Sequence, residues 1–239
     1  MLDTTDRNIP ETAAVISVLT NQSWMGKRFT TDDAGQLQKQ VNGLFTRGRV
    51  SVHDARCAND LFDLTEALSA EDALCLGVPS CGERDMAVVT RGSKTRLTTP
   101  SKICITRTKD DFGFPDGEGW LLLDHDTKDL PVSVRSKLAD LGGIFAALTT
   151  IWPDLADADF LVRPSSSAGV CIAGETPADT TGFHMFVRLK SASDIPSALR
   201  ALHARCWQHG LGYHLISKSG QMLDRSIIDV SVGSPERLI

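Results

Sequence analysis

No run of residues in this 239-residue chain approaches the roughly 18 consecutive apolar positions that a membrane-spanning helix needs. Its start, Met1-Leu2-Asp3-Thr4-Thr5-Asp6, is acidic and has no positive segment followed by an apolar stretch. It is therefore not read as a secretory leader, and a cytoplasmic location is expected. Cysteine pairing motifs are missing too. Cys57, Cys75, Cys81, Cys104, Cys171 and Cys206 include no Cys-x-x-Cys, and no histidine stands at zinc-finger spacing from a cysteine pair. Scattered cysteines of this kind behave as small hydrophobes, so neither disulfides nor structural zinc is expected. Gly-x-Gly-x-x-Gly and Gly-x4-Gly-Lys-Ser/Thr do not occur, which argues against dinucleotide and P-loop chemistry. Internal repeats and low-complexity tracts are also lacking.

Positive charge is not in excess. The net charge of −5 counts mildly against a nucleic-acid-binding surface. Basic residues nevertheless gather at Lys27-Arg28, at Arg47 and Arg49, and over 91–107 with Lys94, Arg96 and Lys102. Acid concentrates over 54–71 and 154–159, so a local basic groove on an acidic body stays open. Hydrophobic content of 41% and charged content of 23% are those of an ordinary globular protein. The length suits one large domain or two small ones.

Periodicity predicts helices over 11–19, 32–44, 58–67, 133–149 and 194–209. The second starts from an N-cap signal at Thr31-Asp32-Asp33 and carries Leu37, Val41 and Leu44 on one face. Strands are expected over 47–52, 86–89, 103–107, 120–123, 160–163, 169–173, 183–189, 213–217 and 225–230, with a polar basic loop over 92–100. From residue 100 onward, strands and helices alternate in the order expected of an open, mainly antiparallel sheet with helices on one face. The fold class is thus α+β, not a doubly wound parallel sheet.

The richest chemistry lies in Gly119-Trp120-Leu121-Leu122-Leu123-Asp124-His125-Asp126. An apolar run reads as a buried strand, and residues two apart share a face. Asp124 and Asp126 therefore leave the strand side by side, and two adjacent carboxylates stay ionised only beside a cation. Mg²⁺ is a simple candidate, since it takes one or two protein carboxylates and fills its other positions with water and phosphate. The plainer alternative is a pair of solvated turn residues or helix caps.

Three other segments carry candidate groups. Arg163-Pro164-Ser165-Ser166-Ser167-Ala168-Gly169 offers an Arg, hydroxyls and backbone donors suited to phosphate, or is simply a turn. In Gly182-Phe183-His184-Met185-Phe186-Val187, His184 is either a phosphate or metal contact or a core histidine, with Gly182 leaving room for close approach by a ligand. In Arg225-Ser226-Ile227-Ile228-Asp229-Val230, a period of two puts Arg225, Ile227 and Asp229 on one face. Asp229 either completes a three-carboxylate site or pairs with Arg225.

Taken in order, these segments resemble the catalytic core of the archaeo-eukaryotic primase superfamily, in its bacterial phage and mobile-element primase-polymerase form. The resemblance rests on Leu121-Leu122-Leu123-Asp124-His125-Asp126, on Ser165-Ser166-Ser167 with Gly182-Phe183-His184, and on Ser226-Ile227-Ile228-Asp229, together with the tail Ser234-Pro235-Glu236-Arg237-Leu238-Ile239. It covers about residues 100–239 and implies an RRM-like palm sheet over 101–239, preceded by a mixed helical and strand flank over 1–100. It further implies DNA primase or primase-polymerase activity: template-directed nucleotidyl transfer with two Mg²⁺ or Mn²⁺ ions held by Asp124, Asp126 and Asp229. Arg163, Ser165, Ser167, His184 and, more weakly, Arg225 would orient the nucleoside triphosphate. The segment 91–107 would track a single-stranded DNA template. In many relatives the Ser and His of the middle motif are only a few residues apart; here 174–181 extends the hairpin, which leaves open which of Ser165, Ser166 and Ser167 faces nucleotide. Relatives often continue into a helicase, so a helicase domain in a longer parent chain is a further expected partner. Two other readings stand beside this one: a non-catalytic nucleic-acid-binding module of a replication-initiation protein, and a metal-dependent phosphohydrolase or nuclease.

Overall fold

β-Branched residues decide the first element. Val15, Ile16 and Val18 lose side-chain freedom in a helix, and the helix expected over 11–19 gives way to a strand, β1 (Val15–Asn21). The computed structural model describes residues 13–34, 37–90, 104–127, 130–165, 168, 170–172 and 182–239. The basic loop expected over 92–100 lies outside them, as do both ends, 169 and 173, of the strand expected over 169–173; residues 170–172 form no strand.

The helix expected over 32–44 is also a β element. Asp32 accepts the amide of Ala34 at 3.0 Å and the side-chain amide of Gln38 at 2.7 Å, so its carboxylate shapes a turn instead of capping a helix. On either side, β2 (Gly26–Thr31) and β3 (Leu37–Asn42) pair as an antiparallel hairpin. Most other early elements follow the sequence closely, namely β4 (Arg47–Asp54), α1 (Ala58–Glu66), β7 (Asp85–Val89) and β8 (Cys104–Thr106), whereas β5 (Asp72–Cys75) is a strand that was not expected. With β1 these strands form a five-stranded sheet of order β5-β1-β4-β7-β8, antiparallel except for the β7–β8 pair. The short strands β6 (Val78–Pro79) and β9 (Phe112–Gly113) pair with each other.

A second sheet carries the candidate site residues Asp124, Arg163 and His184. β10 (Gly119–His125), β11 (Phe160–Pro164) and β12 (Phe183–Leu189) are antiparallel in the order β10-β12-β11. β13 (Gly212–Ile216) and β14 (Met222–Ser226) form a separate hairpin. The strand expected over 225–230 ends at Ser226, after which the chain bends and Asp229 caps a 3-10 turn, Val230–Val232. The helix expected over 133–149 is two helices, α2 (Val132–Asp140) and α3 (Ile144–Ile151). Gly142 and Gly143 break it with φ of +87° and +101°, backbone that glycine adopts at little steric penalty. α4 (Ile195–Gln208) matches its expectation and stops at Gly210, where φ is +70°.

The fold is therefore α+β, with mostly antiparallel sheets and four α-helices among the described residues. Its main core runs through both sheets: Ile16, Val18 and Leu61 pack in one cluster with Trp120, Leu122, Val187, Leu199 and Ile228. Trp120 is fully buried, and its indole N–H donates to the Ala55 carbonyl at 3.0 Å. A smaller cluster of Leu19, Val50, Val88 and Phe112 covers another part of the first sheet. The chain's end returns to that sheet, where Ile239 N–H donates to the Leu74 carbonyl at 3.0 Å.

Candidate active site

The position of the site is set by where β10 stops being apolar. Leu121, Leu122 and Leu123 are all buried, as in a strand covered on both faces. The next residue, Asp124, is directly opposite His184 on β12, and His184 is directly opposite Arg163 on β11. Cross-strand partners share a face, so these side chains form one row across the sheet. His184 Nε2 lies 3.5 Å from Asp124 Oδ1. His125, one residue on, faces the other way. It is 4% exposed, lies 5.2 Å from the Phe183 ring, and bonds through Nδ1 to the Ile227 carbonyl at 2.7 Å. A carbonyl can only accept, so Nδ1 carries the proton.

The same contact delivers the third acid. Ser226 Oγ donates to the Ile228 carbonyl at 3.0 Å, which tightens the bend after β14. Beyond the bend, Asp229 N–H donates to the Asp124 carbonyl at 2.9 Å. The segment 227–229 therefore lies against β10, and Asp124, Asp126 and Asp229 line one cavity of about 260 Å³ with Tyr213 and Arg225. The expected period of two fails here. Ile227 and Ile228 are both buried, and Arg225 reaches Asp229 across the bend, Nη1 to Oδ1, at 3.6 Å. Asp229 also accepts the amide and hydroxyl of Ser231, each at 2.8 Å.

Charge is under strain at this point. Burial raises the Asp124 carboxyl above its ordinary range; His184 pulls it down, Asp229 and Asp126 push it further up, and Arg237 opposes them. Burial likewise lowers the His184 imidazole, with Asp124 opposing and Lys27 reinforcing, so the ring is neutral at pH 7. Lys27, on β2, is lowered by burial and by Lys39, while Asp124 and Asp126 hold its charge. The clustered oxygens are the donor type that hard divalent cations prefer. Among the described residues no three His, Cys, Asp or Glu side chains are arranged to hold a metal ion as they stand. Carboxylates that take only part of a coordination shell and leave the rest to water and phosphate need no such cage.

Other expected contacts are placed differently. Arg163 turns toward α1, donating to Thr65 Oγ1 and pairing with Glu66 at 2.7 Å. It shares with His184 a separate cavity of about 240 Å³. Ser165 N–H donates to the Gly182 carbonyl at 3.0 Å. The room at Gly182 is filled by protein: a Cβ there would stand 2.9 Å from the His125 carbonyl and 3.1 Å from Ser165 Oγ. Ser166, Ser167 and the extension over 174–181 lie outside the described residues, as does the basic segment from 91 to 103. Arg107, at its end, donates to the Glu236 carbonyl at 3.0 Å and stands over the Phe45 ring at 5.9 Å. Sequence reasoning assigned no role to Lys27 or Arg237 and gave Arg107 only a share in tracking the template, yet all three line a larger cavity that also reaches Asp124 and His184. Lys27-Arg28 was visible as local charge, but only the β2–β3 pairing brings it to the acids.

No protein-family model, curated protein or solved structure matches this chain. None of the described helices is long and apolar enough to cross a membrane.

Proposed function

We propose that this chain is a primase-polymerase-type nucleotidyltransferase, joining nucleoside triphosphates on a single-stranded DNA template, and that the β10–β12–β11 sheet is an RRM-like catalytic palm. One observation carries the reading: Asp229, 103 positions beyond Asp126 in the sequence, is hydrogen-bonded through its backbone to Asp124 at 2.9 Å and shares a cavity with both acids. A structural role for Asp229 alone, capping the turn at Val230, does not call for two further carboxylates at the same point. Bringing like charges together in a partly buried place is unfavourable unless a cation is part of the working state.

Asp124, Asp126 and Asp229 would hold Mg²⁺ or Mn²⁺ there. When bound, two such ions supply a lowered pKa for an attacking 3′-hydroxyl and charge stabilisation for departing pyrophosphate. The chain's own contribution is positional. The Asp229–Asp124 backbone bond fixes the spacing of the acids, and the buried His125 locks β10 to the segment that carries Asp229. His184, neutral and facing Asp124, is a hydrogen-bond donor to a triphosphate oxygen that adds no charge to be neutralised. Arg225, next to Asp229, faces the same cavity and is available to a phosphate on that side. Arg163 on β11 and Ser165 just after it would support this row, and Arg163 reaches nucleotide only by leaving Glu66.

The decisive assay is primer synthesis and primer extension on single-stranded template with Mg²⁺ or Mn²⁺, with pyrophosphate measured. Wild type is expected to make product and release pyrophosphate, while Asp124→Ala and Asp229→Ala each lose about 100-fold or more. Strand cleavage or inorganic phosphate without pyrophosphate indicates a nuclease or phosphohydrolase instead. DNA binding with no synthesis indicates a replication-initiation binding module.

A further inference from the structure

Asp124 stands at a divide between two cavities of opposite character. On one side is the cavity of about 260 Å³, where three carboxylates face Arg225. On the other is a cavity of about 700 Å³ lined by Lys27, Arg107 and Arg237 against Asp124 and Asp72. Asp72 is already occupied by Thr20 Oγ1 at 2.5 Å and by the amide and hydroxyl of Ser69 at 2.9 and 2.7 Å. These donors are neutral and leave the Asp72 charge in place, so this side sets three cations against two carboxylates, next to a cavity that sets three carboxylates against one cation.

Its wall is also partly apolar, for a reason traceable to strand register. Lys27 on β2 is directly opposite Val41 on β3, so the two share the face that looks into the cavity. Val41 and Leu44 are 65% and 78% exposed although both line this space, and Phe45 closes it beneath the Arg107 guanidinium. An exposed apolar lip beside converging cations suits a ligand with a flat apolar end and an anionic end. A volume of about 700 Å³ falls in the range of small-molecule sites.

We infer that the β2–β3 hairpin and the chain's end form the pocket for the incoming nucleoside triphosphate, with Lys27, Arg107 and Arg237 holding the polyphosphate and Val41, Leu44 and Phe45 packing on the nucleoside. This rests on the nucleotidyl-transfer reading and gives the first hundred residues a direct part in it. A nucleic-acid strand is the less favoured occupant, because the apolar and cationic groups meet in one pocket and do not alternate along a groove.

The test is equilibrium binding of a fluorescent ATP analogue to the full chain in chelator, so that the metal site plays no part. Lys27→Met, which keeps the aliphatic stem, is expected to weaken binding about tenfold or more, the effect of losing one charge-assisted contact. Lys27→Arg is expected to retain most of it. Arg84→Met makes the same charge change away from the cavity, where Arg84 pairs with Asp54 at 2.6 Å, and is expected to leave binding unchanged. Equal binding by wild type and a correctly folded Lys27→Met protein, or equal weakening by Lys27→Met and Arg84→Met, overturns the assignment. Should Lys27→Met not fold, wild-type competition decides: unlabelled ATP displacing the analogue far better than a single-stranded oligonucleotide upholds the pocket, and the reverse overturns it. Metal-free nucleotide binding that depends on Lys27, in a protein that makes no primer product, would retain the pocket and remove the polymerase reading; synthesis with Lys27-independent binding would do the opposite.

Discussion

A single carboxyl group, that of Asp124, illustrates how far one residue can be reasoned about. Its folded-state pKa is raised above the ordinary value of 3.8, chiefly by burial and then by Asp229 and Asp126 against the pull of His184. In the unfolded chain those neighbours are gone. A group raised on folding contributes stability that is fully present below its unfolded pKa and lost as pH rises through the folded one. In chelator, Asp124→Asn is therefore expected to melt higher than wild type at about pH 7, with the margin closing as pH falls through the carboxylate range. The same substitution is expected to lower synthesis by about 100-fold or more. Thermal melts across pH check the first; an Asn variant that melts lower than wild type at neutral pH would show that Asp124 is a net stabilising group. His184 makes a different prediction. Its ring faces Asp124 at 3.5 Å without being part of the acid cluster, so His184→Ala is expected to weaken apparent nucleotide affinity about tenfold. Steady-state kinetics at fixed template, with KM and kcat separated, would measure it.

Among the elements, the bend after β14 has the most to hold. The indole N–H of Trp207 donates to His203 Nε2 at 3.1 Å, so Nε2 is the acceptor and Nδ1 carries the proton toward Ser226 Oγ at 2.9 Å. Ser226 in turn donates to Ile228. This relay works only with neutral His203, whose pKa is lowered by burial against the opposing charge of Asp224. A histidine lowered on folding contributes stability above its unfolded value, near 6.5, and loses it as pH falls through the folded one. His203→Ala is expected to destabilise by about 1–2 kcal/mol at pH 8, with a smaller difference at pH 5, as measured by urea unfolding at the two values. None of this was legible beforehand, because the expected strand over 225–230 hid the bend. What the sequence did carry well were elements whose burial pattern is simple: β10, β12, α1 and α4. It misled where one local signal had two outcomes. Asp32 can cap a helix or shape a turn, and nothing near it says which; Gly142-Gly143 stops a helix only if both adopt positive φ. The Asp-x-Asp strand end was readable because an apolar run and a period of two are local facts. The approach of Lys27 was not, because it depends on pairing between segments of weak hydrophobic pattern.

At the scale of the whole molecule, the question is whether residues before and after 100 fold as one unit. β8 lies beyond that boundary in sequence yet pairs with β7 in the first sheet, and Ile239 bonds back to Leu74 within β5. The main core draws on both sides, and Trp120 is its most telling member: a fully buried ring on β10 whose N–H satisfies the Ala55 carbonyl. One shared core implies one cooperative transition, in which secondary structure and tryptophan fluorescence report the same midpoint. Trp120→Phe keeps most of the apolar area but leaves the buried Ala55 carbonyl without its donor, a loss of about 1–3 kcal/mol. Urea unfolding followed by far-ultraviolet circular dichroism and by fluorescence of the remaining tryptophans should show both midpoints falling together with an unchanged slope. If one probe shifts and the other does not, the first hundred residues unfold independently. A pocket built from Lys27 on one side and Asp124 on the other would then sit between two separately folding parts, and its geometry would change with every opening of that joint.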